Sequence, residues 1–235
     1  MTEVLNPAGH WCRGVVTNVA HPNPRAVTLR LAVSDRSEHL PGQHYVIKLT
    51  AEDGYSASRS YSVASAPDED LLEFYVEELD GGEVSPYLAD AVEVGDELQL
   101  RGPIGGWFVW DGATPAVGVA GGTGVVPLVS MVRHARHLGI DDRIALAVSS
   151  RTLVELPYAH ELAAAGAAIA LSREDHAGGR AAGRLAAAEL APLVRPGATY
   201  FVCGSAGFAE SATELLTGLG VAPGAVRVER FGPSG

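Results

Sequence analysis

Cysteine is scarce in this chain. Cys12 and Cys203 are the only two among 235 residues. Two thiols cannot build a disulfide framework, and they cannot supply the four thiolates of an iron–sulfur cluster. The HExxH motif is missing, and the eight histidines lack the paired spacing of a zinc site. The N-terminus has none of the basic, apolar and small-residue regions of a secretory signal, so the expected compartment is cytoplasmic. There is no internal repeat. Basic charge is also short: 17 Lys and Arg stand against 28 Asp and Glu, a net charge of −11. That balance argues against nucleic acid as a partner. Residues 112 to 132 carry no charge, a length sufficient to cross a bilayer. Five glycines and two prolines interrupt them, and the apolar pattern changes period along the run. A membrane span is therefore rejected, and no membrane partner is expected.

That uncharged run is the most informative stretch of the chain. Pro115-Ala116-Val117-Gly118-Val119-Ala120 reads as a buried parallel strand. Gly121-Gly122-Thr123-Gly124 follows, and then Pro127 at the first turn of a helix, where a missing N–H costs little. Leu128, Met131, Val132, Ala135 and Leu138 share one helical face. A strand, a tight glycine turn and a helix N-terminus present free N–H groups to an anion, with pyrophosphate as the natural guest. The spacing Gly122-x-Gly124-x-x-Pro127 departs from the usual G-x-G-x-x-G fingerprint, and an ordinary strand-to-helix turn is the alternative.

Charge divides the chain. Residues 1 to 111 hold 7 basic and 18 acidic side chains, and residues 112 to 235 hold 10 of each. The step places a domain boundary between 111 and 112. In the first half, six short strands separated by turn signals predict a small antiparallel barrel. They lie near 15–19, 27–33, within 41–49 after an opening turn, and near 58–65, 71–79 and 95–101, with the first turn at His21-Pro22-Asn23-Pro24. One short helix is expected, with Ser85 as N-cap and Pro86 as its first residue. Alternation puts Arg59 and Tyr61 on one strand face. A cation for phosphate beside an aromatic plane for a flat ring is what a flavin needs; a surface Arg beside a core Tyr is the plainer alternative. Gly81-Gly82-Glu83-Val84-Ser85 is a second candidate anion turn.

In the second half, strands near 143–148, 169–171, 200–202 and 226–229 alternate with helices near 127–138, 157–165, 185–191 and 207–219. The expectation is a doubly wound parallel α/β sheet, which binds ligands at the carboxyl ends of its strands. Gly122–Gly124, Ser149–Arg151, Ser172–Arg173 and Cys203–Ser205 all fall there. Arg180 and Arg184 could add charge to the same edge. Arg133, His134, Arg136 and His137 form either a solvated helix face or a docking patch. Cys203 is either a small packed residue or a functional one; pairing with Cys12 does not suit a reducing compartment.

Five motifs stand in one order: Arg59-x-Tyr61-Ser62, Gly82-x-x-Ser85, Gly102-Pro103-x-Gly105, Gly122-x-Gly124-x-x-Pro127 and Cys203-Gly204-Ser205. Over almost the whole chain this closely resembles the ferredoxin–NADP⁺ reductase family, especially the reductases that serve bacterial oxygenases. The resemblance implies an FAD-binding barrel over residues 1–111 and an NAD(P)-binding α/β domain over 112–235. It assigns Arg59 to the flavin pyrophosphate, Tyr61 to the isoalloxazine face and Ser62 to the neighbourhood of N5. Tyr75, Val76, Gly82, Val84, Ser85 and Phe231 complete the implied flavin contacts. Gly122, Thr123, Gly124, Gly204 and Ser205 would hold the nicotinamide nucleotide. Arg151, Ser172 and Arg173 would read its ribose and favour NADP over NAD, which stays possible. Cys203 and Glu229 would stand beside the nicotinamide, so Ser62, Cys203 and Glu229 are the implied catalytic residues.

The activity implied is electron transfer from NAD(P)H through FAD to a one-electron acceptor. That acceptor is expected to be a separate ferredoxin or other iron–sulfur carrier, because no cluster cysteines are present. The alternatives are a flavin-bearing relay subunit that does not itself oxidise NAD(P)H, and a reductase of oxygen, free flavin or a haem partner.

Overall fold

A computed structural model describes residues 10–34, 36–176 and 179–232. The chain divides into two compact units, Met1–Val109 and Trp110–Gly235.

The first unit contains β1 (Trp11–Asn23), β2 (Ala26–Val33), β3 (His44–Thr50), β4 (Ser56–Ser62), β5 (Leu72–Glu77), the short helix α1 (Ser85–Asp90) and β6 (Glu97–Ile104). The strands form one antiparallel sheet in the order β4-β3-β6-β1-β2-β5. The two ends of that order meet where Val63 bridges Phe74 and the Ala64 N–H donates to the Glu73 carbonyl at 2.8 Å. The sheet thereby closes on itself as a barrel. Its interior is filled by Val27, Leu29, Leu31, Tyr45, Ile47, Leu72, Phe74 and Leu100, with Tyr45 and Phe74 edge to face at 6.0 Å.

Two local expectations fail here. β1 runs through His21-Pro22-Asn23, so the turn shrinks to Pro24-Arg25. A register shift between Ala20 and Asn23 accommodates Pro22, which has no N–H to give a ladder. Ser85 is not a cap. It is the first residue of α1, after Val84, and its Oγ accepts the Leu79 N–H at 3.1 Å.

The second unit contains β7 (Ala116–Gly121), α2 (Val126–Leu138), β8 (Ile144–Ser150), α3 (Ala159–Ala164), β9 (Ala168–Leu171), α4 (Ala187–Leu190), β10 (Thr199–Ser205), α5 (Ala206–Gly218) and β11 (Val226–Phe231). All five strands are parallel, in the order β11-β10-β7-β8-β9. β7 is buried on both faces, hence its unbroken apolar run. Val117 and Val119 pack with Ala209, Ala212 and Leu216 of α5. Gly118 faces the other way, where a Cβ would meet Leu128 and Leu146 at 2.7 Å. Leu128, Met131, Val132 and Ala135 are buried as the periodicity predicts. Leu138 is 47% exposed, because it is the last helical residue before the left-handed Gly139. Among the described residues no helix is long and apolar enough to cross a membrane.

Candidate functional site

The candidate residues form one group in each unit. In the first unit they line up along β4. Register pairs Tyr61 with Tyr45, Arg59 with Ile47 and Ala57 with Leu49. Directly opposed residues share a face, so Ala57, Arg59 and Tyr61 point to the barrel-interior side, while Ser56, Ser58 and Ser60 are exposed. Arg59 is half-buried, and among the described residues its guanidinium donates to the adjacent Ser58 carbonyl, at 2.8 Å. Burial pushes the Tyr61 hydroxyl well above the usual phenol range, against a smaller opposing effect of Arg59. Ser62 is buried, and its Oγ has no hydrogen-bond partner among the described residues. An orphaned buried hydroxyl costs free energy unless something completes it.

The remaining flavin candidates are placed less directly. The Tyr75 hydroxyl is taken up by the Asn23 amide at 3.0 Å, and burial raises it to about 12. The side chains of Val76 and Val84 are wholly buried in the barrel core, so only their backbones can serve a ligand. In the Gly82–Ser85 turn the Gly82 N–H bonds the Leu79 carbonyl at 2.9 Å. Ser85 uses a lone pair on Leu79, which leaves its hydroxyl proton able to donate.

In the second unit the strand order reverses direction beside β7, and the crevice at such a switch point is the usual ligand site. The glycine turn at the end of β7 and Cys203-Gly204-Ser205 at the end of β10 border it. Gly122 is left-handed at φ +56, and a Cβ on Gly124 would lie 2.4 Å from the Cys203 carbonyl oxygen. The turn therefore demands glycine at both positions. Thr123 is half-buried within it. Cys203 is fully buried, and its Cα partners are Ala120 on β7 and Glu229 on β11. Burial pushes its thiol up strongly, and the neighbouring Glu229 adds to this. Burial also raises the Glu229 carboxyl from 4.5 to about 7. Ser205 caps α5, its Oγ accepting the Phe208 N–H at 3.3 Å. Phe231 is half-buried opposite Ser205, at the end of β11.

The loops after β8 and β9 run side by side. The Ser172 N–H donates to the Ser150 carbonyl and the Arg173 N–H to the Arg151 carbonyl, both at 2.9 Å. Ser172 and Arg173 are exposed. Arg151 is not free: Glu155 pairs with it at 2.9 Å. This acid was absent from the sequence reading, because the two residues meet on a non-helical loop where no helical spacing rule applies. Arg180 is consumed by Glu189 and by the Ala181, Gly183 and Arg184 carbonyls, so it adds no charge for a ligand. The Arg133–His137 stretch is not a simple solvated face either. Arg133 is held by Glu161 at 3.0 Å and lies over Tyr158, and His134 packs edge-on to Trp110.

A barrel with an orphaned hydroxyl beside a half-buried Arg–Tyr pair, and a parallel sheet with a glycine turn at its switch point, define a dinucleotide-using oxidoreductase class. Residues 16–109 match the family model described as an oxidoreductase FAD-binding domain. The chain is 28% identical over 242 residues to a naphthalene 1,2-dioxygenase system ferredoxin–NAD(P)(+) reductase component of Pseudomonas putida, covering 99% of this chain and 73% of the relative. It is 30% identical over 218 residues to a flavohemoprotein of Chromobacterium violaceum, covering 82% of this chain and 52% of the relative. In fold it is similar to a ferredoxin NADP+ reductase of Neisseria gonorrhoeae, with TM-score 0.79 and 19% identity over 94% of this chain and 98% of that one. The first unit thus matches an oxidoreductase FAD-binding domain, with FAD as its cofactor, and the whole chain is similar in sequence to ferredoxin–NAD(P)(+) reductase components.

Proposed function

We propose that this chain is the NAD(P)H-oxidising reductase component of an oxygenase system, delivering electrons from its FAD to a separate ferredoxin or similar iron–sulfur carrier. The observation that carries the reading is the likeness along 99% of this chain to a ferredoxin–NAD(P)(+) reductase component. The residues fit the cofactor. Ser62 offers a buried hydroxyl in need of a partner, and Arg59 offers a guanidinium suited to a bidentate grip on phosphate.

FAD, when bound, supplies the conversion of a two-electron hydride donor into two one-electron steps. The protein's part is placement. Arg59, with the Gly82–Ser85 turn, anchors the pyrophosphate. Tyr61 covers a flat ring, and Tyr75, Val76 and Val84 shape the wall behind it. Ser62 positions a hydroxyl at the reactive edge of that ring. In the second unit Gly122, Thr123, Gly124, Gly204 and Ser205 hold the nicotinamide nucleotide by backbone groups. Cys203 keeps its proton and acts by position, with Glu229 as a carboxyl near neutrality beside it. Arg173, whose side chain is exposed, and Arg151, once released from Glu155, read the ribose 2′ substituent with Ser172, which favours NADPH over NADH.

The test is an absorbance spectrum of the purified protein followed by anaerobic titration with NADPH and with NADH. A flavin band that bleaches with NADPH at lower concentration than with NADH, and then reduces an added [2Fe–2S] ferredoxin, is the expected result. A flavin band that neither nucleotide bleaches would make the chain a relay subunit instead. The likeness to a flavohemoprotein favours a second reading, in which a haem protein takes the electrons. Faster turnover with a haem acceptor than with a ferredoxin would establish it.

A further inference from the structure

Two arginines stand where the loops after β8 and β9 run together, and their surroundings differ. Among the described residues the Arg173 side chain is exposed and makes no hydrogen bond or ion pair. Arg151 is engaged. Its guanidinium meets one Glu155 carboxylate oxygen at 2.9 Å, and the Thr152 hydroxyl donates to the other at 2.8 Å. Both carboxylate oxygens therefore have a partner from the same short loop. The backbone around the pair is tied down as well. The Arg151 carbonyl accepts the Arg173 N–H at 2.9 Å, and a Glu174 carboxylate oxygen accepts the Leu153 N–H at 2.7 Å. What is left able to swing is the Arg151 side chain, which is 50% exposed.

Charge decides what such a pair of loops prefers. Arg151 and Arg173 are offset by Glu155 and Glu174, so these four side chains sum to zero. A ribose 2′-phosphate is an anion and gains from both guanidinium groups, whereas a 2′-hydroxyl is neutral and has little use for either. An open Arg151 would add a second charge-assisted grip on the phosphate. Paired with Glu155, it must first leave a carboxylate already in contact. Partly exposed ion pairs are weak enough to exchange, so phosphate and carboxylate compete on nearly even terms. The Thr152 bond tilts that competition toward Glu155, because the carboxylate is already ordered when the nucleotide arrives.

We infer that Glu155 is a positioning residue that competes with the nucleotide's 2′-phosphate for Arg151, and so sets how strongly NADPH is preferred over NADH. The inference rests on the nucleotide reading of the β8 and β9 loops. It makes the preference a property of the acid as much as of the arginines: Arg173 supplies the standing attraction for phosphate, and Glu155 limits what Arg151 can add.

The experiment is a calorimetric titration of the full-length flavoprotein with adenosine 2′,5′-bisphosphate, which carries the 2′-phosphate and no nicotinamide, alongside KM and kcat for NADPH and NADH. Glu155→Gln removes the charge and keeps an oxygen for the Thr152 hydroxyl. It is expected to tighten bisphosphate binding about fivefold, the size set by a partly exposed ion pair. The KM for NADPH should fall by a similar factor, the KM for NADH should stay within about twofold, and kcat should hold with both. In an Arg151→Ala background the same substitution should change bisphosphate affinity by less than about twofold, because the competition is gone. An equal change in both KM values would mean a general structural role and would overturn the inference. So would unchanged bisphosphate affinity in Glu155→Gln, or the full gain persisting without Arg151. Arg173→Ala separates the two levels of the argument. If it weakened NADPH and NADH equally, these loops would not read the 2′ substituent, and the role of Glu155 would fall with that reading. If it weakened NADPH alone while Glu155→Gln changed nothing, the role of Glu155 would fall by itself.

Discussion

Glu229 shows how a single residue can act against the fold that carries it. Its carboxyl lies beside the buried Cys203 on the adjoining strand, and desolvation raises it from 4.5 to about 7. The folded protein therefore keeps this proton where the unfolded chain has already lost it. For an acid raised in this way, stability is greatest below the unfolded value. It falls as pH climbs from about 4.5 to about 7, and the deficit persists above that. Glu229→Gln should accordingly be more stable than wild type at pH 8, by on the order of 2 kcal/mol, and equal to it at pH 4. Urea unfolding at the two pH values measures the difference, and equal midpoints at pH 8 would show that the carboxyl is not desolvated. A costly carboxyl at the edge of a ligand crevice fits a functional residue better than a structural one. The pairing of Glu229 with Cys203 was not legible from spacing, since 26 positions separate them and only the parallel β10–β11 register joins them. Arg151 and Glu155 are close in sequence and do pair, but on a bend that the chain's local spacing does not announce.

Elements were legible where one physical demand governed a whole stretch. β7 has to be apolar on both faces because helices cover both, and its uncharged run shows it. α2 repeats its buried positions at helical spacing. Ends were less legible, because partners set them. β1 continues past a proline-rich turn signal because β2 is there to pair with it, and the hydroxyl of Ser85 is taken by Leu79 instead of capping α1. The bond from the Tyr55 hydroxyl to Glu83 was hidden for the same reason: a hairpin and a distant turn meet only in three dimensions.

The turn between β7 and α2 gives the sharpest prediction at this scale. A methyl group at Gly124 would stand 2.4 Å from the Cys203 carbonyl oxygen and 2.6 Å from its carbon. These are backbone atoms and cannot swing aside. Gly124→Ala should force β10 away from the turn, at a cost of about 1–3 kcal/mol, and abolish NADPH binding. Bound flavin should stay, because Arg59, Tyr61 and Ser62, the residues proposed to hold it, lie in the other unit. Flavin absorbance together with nucleotide titration checks both, and intact NADPH affinity would mean the turn is not the phosphate site.

At the scale of the molecule the division of charge matters most. The first 111 residues hold 18 acidic and 7 basic side chains, and the rest are balanced. Of those seven, Arg13, Arg25 and Arg30 are paired with Glu97, Asp80 and Glu73, so the flavin-binding unit presents a net negative field to any carrier approaching it. Charged partners feel that field over about 10 Å at 0.1 M salt and much further at low salt. Opposite responses follow for acceptors of opposite sign. Steady-state reduction of an acidic ferredoxin should speed up as salt is raised from about 10 mM, because screening relieves repulsion. Reduction of a basic haem protein should slow over the same range, because screening weakens its attraction. Initial rates at several ionic strengths with both acceptors make the comparison. If the acidic carrier instead slowed with salt, it would be docking on a local cationic surface strong enough to outweigh the net charge of the unit. Lys48 and Arg101 beside the exposed Trp11 ring, at 4.6 and 5.2 Å, would then be the residues to substitute.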